Sequence, residues 1–431
     1  MTTLKAVRGT RDLLPPETAL WNRSETTSRA VFARYNFGEI RTPIFEDTGL
    51  FARSVGEETD IVSKEMYTWE DRARAQSEKT QSLTLRPENT AGVVRSYIEH
   101  QLGETGQLQK LFYIGPQFRR ERPQKGRYRQ FSQIGAEVIG PPSAGSESPL
   151  RDAEVLEMLA TLLNELGITG WKLELNSVGS AADRARYNEV LRTALDAVVS
   201  SMCVDCQRRA ATNPIRVLDC KVPADQPIID TLPVIADSLN EASRAHFAQV
   251  LAALDAAAVP YTRNHRLVRG LDYYTRTTFE FTHGGLGAQN ALLGGGRYDG
   301  LSEMLGGPRA PGIGFAMGED RLVLTLLAQE AAAPQVLADA YIAPLGESLN
   351  AAALSLAREL RSQGLRIELG DGSFRLKKSF EVADKTARRM IILGEDELQS
   401  GILTVKTFAT GIQTKVPRTE LAVFLTKPAS E

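Results

Sequence analysis

The stretch that decides the reading is Gly115-Pro-Gln-Phe-Arg-Arg-Glu-Arg-Pro-Gln-Lys-Gly-Arg-Tyr-Arg-Gln130, followed at once by Phe131-Ser-Gln-Ile-Gly-Ala-Glu137. Five arginines and one lysine fall between positions 119 and 129. A solvated charge run is the plain alternative, but such runs rarely connect two strands or carry Pro, Gly and Tyr between the charges. Guanidinium groups at the mouth of a sheet suit a triphosphate, because they offer planar forks to oxygens and never lose their charge. In the strand that follows, period-two alternation puts Phe131, Gln133, Gly135 and Glu137 on one face and Ser132, Ile134, Ala136 and Val138 on the other. An aromatic, an amide, a missing side chain and a carboxylate describe a pocket floor better than a packed core. Glu137 is flanked by apolar neighbours and is expected to be at least partly buried. It then needs a partner, either a ligand N–H or an internal arginine.

Outward from this strand, further short strands are expected at 38–43, 82–85, 110–115 and 172–175, separated by polar loops. Their spacing suggests an antiparallel sheet with flanking helices. Positions 151–166 read as a helix, with Val155, Leu156, Leu159, Leu162, Leu163 and Leu166 as an apolar stripe and Gly167 as the stop. From 177 to 263 the chain turns Ala-rich, charged and helix-favouring, and reads as a helical insertion. Strand-like sequence and glycine return at 267–318, running into a helix at 319–327. In that stretch Gly312 and Gly314 share a strand face, which is expected to leave a flat opening for a ring, and Gly294-Gly-Gly-Arg297 reads as a turn admitting a ligand or as a plain hairpin turn. Positions 329–338 read as a linker. After it, strands at 340–343, 366–369 and 390–393 alternate with helices, which predicts a small α/β domain on a largely parallel sheet. The expected fold is thus α/β in class, with a first domain at 1–176 and 264–328, an insertion at 177–263 and a last domain at 339–431.

Composition narrows the function without naming it. At 431 residues, two or three domains are expected. Lys+Arg 51 against Asp+Glu 53 gives a net charge of -2, so any nucleic acid must be held by local patches. The first residues lack an apolar signal core and no run approaches the length of a membrane span, so a cytoplasmic location with no membrane partner is expected. Cys203, Cys206 and Cys220 make no even disulfide set, which fits a reducing compartment. The C-x2-C pair and the later cysteine could be part of a zinc site, but no fourth ligand stands nearby and His246 is the closest downstream histidine. The expectation is reduced thiols and no metal.

The loop and strand at 115–137 resemble motif 2 of class II aminoacyl-tRNA synthetases, and the string 118–131 is similar to the histidyl branch of that family. Phe37-Gly-Glu-Ile-Arg-Thr-Pro-Ile-Phe-Glu46 is similar to motif 1, with its proline at Pro43. Pro311-Gly-Ile-Gly-Phe-Ala-Met-Gly-Glu-Asp-Arg321 resembles motif 3. Leu267-Val-Arg-Gly-Leu-Asp-Tyr-Tyr-Thr275 and Leu293-Gly-Gly-Gly-Arg-Tyr-Asp-Gly-Leu301 resemble the two histidine-specific signatures.

What the resemblance implies is an α+β catalytic domain, a C-terminal anticodon-binding domain, and ATP-dependent activation of L-histidine followed by transfer to tRNA(His). It implies Arg119, Arg269 and Arg321 as catalytic cations. ATP would be held by Arg119, Glu121, Arg127, Phe131 and Arg321, with Mg²⁺. Histidine would be held by Glu88, Thr90, Gln133, Glu137, Arg269, Tyr273, Tyr274 and Tyr298, the order of the two adjacent tyrosines being open. It implies tRNA contacts at Gln124 and Arg129, a basic face at Arg375, Lys377, Lys378, Lys385, Arg388 and Arg389, and a homodimer through motif 1. Asn89 departs from the small residue expected beside Glu88. The rivals are a histidine-binding regulatory paralog, which typically lacks the set of ATP arginines and the last domain, and a non-catalytic RNA-binding scaffold, for which the Gly- and Tyr-rich signatures would have no purpose.

Overall fold

Alternating apolar residues at 134, 136 and 138 give the Gln130–Ile139 strand one face that must be covered, and the helix Pro149–Glu165 covers it. In the computed structural model, which describes residues 3–56, 59–71, 80–124, 126–286, 290–329 and 337–428, Ser148 starts that helix by accepting the Leu150 N–H. Gly167, at φ +78°, follows its end. Val155, Leu156, Leu159, Leu162 and Leu163 are buried against Ile134, Ala136, Val138, Phe279 and Phe315.

The chain forms two compact units, Met1–Ala333 and Pro334–Glu431. Positions 330–336 of the expected linker, and Lys125 of the arginine loop, lie outside the described residues. The first unit carries an eight-stranded sheet. Its order is Gly38–Glu39, Gln109–Phe118, Gln130–Ile139, Gly312–Gly318, Ala291–Arg297, Thr275–His283, Trp171–Ser177, Thr262–Arg263. All pairings are antiparallel except the outermost pair at each edge. The strand expected at 38–43 is confined to two residues. The one expected near 82–85 belongs instead to a separate three-stranded sheet of Phe45–Asp47, Gln81–Leu85 and Tyr67–Asp71.

The expected insertion divides by packing. Residues between Val178 and Ile235 share their own apolar cluster, built on Tyr187, Leu191, Leu195, Val217 and Ile235 and joined by Val268. The later helix Glu241–Ala256 places Phe247, Val250 and Leu254 in the main core, and Thr262–Arg263 is an edge strand of the main sheet.

A buried ion pair ties the sheet to the covering helix. Arg297 and Asp152 are both fully buried; the Arg297 Nε and Nη2 donate to Asp152 Oδ1, at 3.0 and 2.5 Å. Thr277 Oγ1 donates to the other carboxylate oxygen at 2.6 Å, and Arg297 Nη1 donates to Ser146 O and Asp299 Oδ1. The second unit holds a five-stranded sheet in the order Ile367–Leu369, Ala340–Pro344, Arg389–Leu393, Ile402–Thr407, Gln413–Pro417. Its first three strands are parallel, as expected; the last two are antiparallel additions that the sequence reading did not include.

Removing Asp152 takes away the buried partner of Arg297 Nε and Nη2 and leaves only the partly exposed Asp299 as its carboxylate, so Asp152→Ala is expected to cost about 3 kcal/mol of folding stability. Urea unfolding of the variant measures this. A cost near that of an exposed pair, about 1 kcal/mol or less, would show that Asp299 and the Ser146 carbonyl suffice for Arg297.

Candidate active site

Three adjacent strands and the signature loops bring the expected residues to one cleft of about 1220 Å³. Its walls include Arg119, Arg127, Phe131 and Gln133 from the hairpin side, Arg269, Tyr273 and Tyr274 from the 267–274 segment, and Arg321 from the helix Glu319–Gln329. Glu88, Thr90 and Glu121 also line it, whereas Glu137 and Tyr298 do not reach its surface. The arginine loop closes on itself through a tight turn in which Gln124 and Arg127 exchange backbone hydrogen bonds, with Gly126 at φ +76°. That left-handed position suits glycine.

Each guanidinium is tethered. Arg119 Nε donates to Pro87 O at 2.9 Å, and its guanidinium carbon lies 5.3 Å from the Phe131 ring centroid. Arg127 Nη1 donates to Glu121 Oε2 at 2.8 Å. Arg269 is paired with Glu280, and Arg321 Nη1 donates to Ala291 O at 2.8 Å. Burial, and then the charge of Arg127, lowers the Arg321 pKa.

Behind the cleft wall lies the carboxylate predicted from strand alternation. Glu137 is fully buried and is paired with hydroxyls, not with an arginine: Thr90 Oγ1 donates to Oε1 and Tyr298 Oη to Oε2, both at 2.7 Å. Glu88 is also buried, its two oxygens accepting the N–H groups of Thr90 and Ala91 at 2.7 and 3.0 Å, where the helix Thr90–Glu99 begins. Gln133 keeps a buried Oε1 with no hydrogen-bond partner among the described residues, a cost that a bound ligand would relieve. Tyr273 and Tyr274 both line the cleft, with ring centroids 4.8 Å apart; Tyr273 meets Tyr298 edge-on at 5.9 Å.

Several expectations change. Gly312 and Gly314 leave no flat opening for a ring, because a Cβ at Gly314 would collide with the Glu137 carboxylate and one at Gly312 with the Tyr298 ring. The run Gly294-Gly-Gly-Arg297 is strand, not turn; the space over Gly294 holds the Arg269 guanidinium and that over Gly296 the Tyr274 ring. Asn89 has φ −118° and ψ −13°, ordinary backbone that asks for no glycine, and its Oδ1 accepts from Thr42 Oγ1. Arg129 and Gln124 are not part of the cleft wall; Arg129 Nη1 donates to Arg8 O and its stem packs on Gly9. In the second unit Arg375, Lys377, Lys378, Lys385 and Arg388 are exposed. Arg389 is buried and donates to the carbonyls of Leu425 and Lys427, so it is structural and not part of a basic face.

The sequence reading missed Glu280, the anchor of Arg269, and Gln117, whose buried amide has neither atom hydrogen-bonded among the described residues. Register pairs Gln117 with Phe131. Directly opposed residues share a face, so Gln117 stands on the pocket side, and alternation along the Gln109–Phe118 strand was the signal available for finding it.

Burial pushes the Glu137 carboxyl up to about 8 against the lowering pull of the Tyr298 and Thr90 hydroxyls. Such a group stays neutral in the fold while the unfolded chain ionises. Its contribution to stability therefore falls as pH climbs from the ordinary carboxylate range to about 8, and is level above that. The stability of Glu137→Gln relative to the parent is expected to rise with pH over this window, as read by urea unfolding at several pH values. A pH-independent difference would mean that Glu137 is already ionised in the fold.

Comparison with known proteins gives the family. The family described as histidyl-tRNA synthetase matches residues 9–322, and the anticodon binding domain family matches 339–427. The histidine–tRNA ligase of Koribacter versatilis (strain Ellin345) is 71% identical over 423 residues, 98% of this chain and 96% of that protein. That of Solibacter usitatus (strain Ellin6076) is 56% identical over 98% of this chain and 99% of its own. The crystal structure of apo S. aureus histidyl-tRNA synthetase superposes with a TM-score of 0.79 at 39% identity, covering 99% of this chain and 100% of that one. With a family match across most of its length and these identities over nearly all of it, the chain belongs to the histidyl-tRNA synthetase family, the ligases that join histidine to its tRNA.

Proposed function

We propose that the cleft binds ATP and L-histidine side by side, forms histidyl-adenylate, and passes the histidyl group to the 3′ end of tRNA(His). The observation that carries this reading is the convergence of Arg119, Arg127, Arg269 and Arg321, drawn from distant parts of the chain, on one cavity. Attack of the histidine carboxylate on the α-phosphorus brings two anions together and expels pyrophosphate, so positioned cations are what the step needs. Arg119 and Arg269 hold the α-phosphate and the reacting carboxylate. Arg127, with Glu121 as its resting partner, meets the outer phosphates, and Phe131 and Arg321 hold the adenine. Mg²⁺ would neutralise charge on the phosphates. Glu121, a carboxylate on the cleft wall, would hold it, and one protein carboxylate plus phosphate oxygens is ordinary for this ion.

Glu88, Thr90 and Gln133 take the α-amino end of the amino acid, where the unpaired Gln133 Oε1 finds its donor. Glu137, with Tyr273, Tyr274 and Tyr298, reads the imidazole. A neutral carboxyl and phenols offer donors and acceptors to its ring nitrogens where an apolar pocket could not. In the transfer step the ribose hydroxyl of the tRNA attacks the adenylate carbonyl and AMP leaves. Gln124 and Arg129, on the turn outside the cleft, meet the acceptor end, and the exposed cations of the second unit meet the anticodon region.

We extend the reading to a cytoplasmic homodimer. Phe45 and Trp69 are 54% and 40% exposed and pair edge-on at 6.1 Å on the three-stranded sheet, with Ile44 beside them. That apolar surface adjoins Pro43 and is suited to a second copy. No helix among the described residues is long and apolar enough to cross a membrane.

Arg269→Ala is expected to slow ATP–pyrophosphate exchange by about 10²- to 10³-fold, with far less effect on the thermal unfolding midpoint. Near-normal exchange in that variant would remove Arg269 from the reaction. Binding of tRNA(His) is expected to weaken steeply as salt rises; a flat salt dependence would discard the exposed cations as its phosphate contacts.

A further inference from the structure

Cys203, Cys206, Cys220 and Asp225 meet in the segment from Val178 to Ile235, with their ligand atoms all within 4.8 Å of one another. They are the group of that kind found among the described residues. All three cysteines are unpaired, and Cys206, Cys220 and Asp225 are buried. The fourth donor is a carboxylate five residues after Cys220, a residue type that a search for histidine or cysteine passes over. We propose that these four residues hold a structural zinc-class divalent cation that braces the insertion wall of the active-site cleft.

The spacing fits such an ion. Tetrahedral zinc with Zn–S bonds of about 2.3 Å sets neighbouring sulfurs about 3.8 Å apart and sulfur and oxygen about 3.5 Å apart. Cys203 Sγ and Cys220 Sγ are 3.9 Å apart, and Cys220 Sγ and Asp225 Oδ2 are 3.3 Å apart. Backbone N–H groups are aimed at two of the sulfurs. The Cys206 N–H points to Cys203 Sγ and the Val222 N–H to Cys220 Sγ, both at 3.4 Å. Cys203 also stands at the positive N-terminal end of the helix Val204–Thr212. Asp225 is oriented by the Cys203 N–H, which lies 3.1 and 3.2 Å from its two oxygens. Three sulfur donors select zinc over magnesium or calcium.

The position gives the ion a task. Between 199 and 238 the chain has only short helices and no strand, so local hydrogen bonding fixes little of its shape. Yet Cys203 and Cys220 line the catalytic cleft together with Asp219 and Lys221, and Cys206 and Cys220 share an apolar cluster with Val268, the neighbour of Arg269. A clamp here holds one wall of the cleft at a set distance from the guanidinium that faces the reacting groups.

The test uses the full chain, produced with zinc in the medium and purified under reductant without chelator. Elemental analysis is expected to find about one zinc per chain. The chelator-stripped protein reloaded with Co²⁺ is expected to show the absorption of tetrahedral cobalt–thiolate coordination. Cys206→Ser combined with Cys220→Ser should lose both signals. Should that variant fail to fold, the parent still decides: chelation is expected to lower its unfolding midpoint and expose its thiols to a thiol reagent. Parent protein that carries no zinc while its three thiols react freely overturns the proposal, as does a Cys203–Cys220 disulfide mapped in the native chain.

Discussion

Gathering like charges in one cavity is the constraint around which the first unit is built. Two guanidinium groups a few ångströms apart repel by several kcal/mol in a partly screened interior, so none can be left to find its own place. Each is therefore held by a specific acceptor: a carbonyl for Arg119 and Arg321, a carboxylate for Arg127 and Arg269. The two carboxylates relieve the repulsion between the guanidinium groups. Because the groups are already oriented, little reorganisation is left for the moment of reaction, which is where an enzyme of this kind gains most of its rate.

The glycines of the signature strings serve this arrangement by volume. Strand positions without side chains are occupied from above by the groups that matter: Glu137 over Gly314, Tyr298 over Gly312, Arg269 over Gly294 and Tyr274 over Gly296. A methyl at any of these would displace the group above it directly. The pocket floor is thus made of side chains seated in the hollows of a bare backbone, which gives long residues little room to wander.

The parts of the structure legible in the sequence were those set by local rules. Alternation in 130–139 placed Glu137 on the pocket face, and the apolar stripe of the Pro149–Glu165 helix showed what covers the other face. Arginine content and turn chemistry located the loop that brings Arg119 and Arg127 to the cleft. What escaped were relations between residues far apart in sequence. The Asp152–Arg297 pair, the Glu280 tether of Arg269 and the burial of Arg389 against chain-terminal carbonyls leave no local trace, because each depends on which strand or helix arrives opposite. The occupied spaces over the glycines were invisible for the same reason. The two last strands of the second unit were missed because the expectation of repeating strand–helix units gave no reason to look for a closing hairpin.

The register that sets Glu137 opposite Gly314 also governs when the protein can exist during its synthesis. The strand carrying Glu137 leaves the ribosome long before the one that must lie along it, and the intervening chain includes the whole cysteine-bearing segment. Until residue 318 has emerged, one edge of the Gln130–Ile139 strand has no native neighbour to take its hydrogen bonds. The nascent polypeptide must carry this open edge from the time residue 139 emerges until residue 318 does, exposed to wrong strand partners throughout that interval.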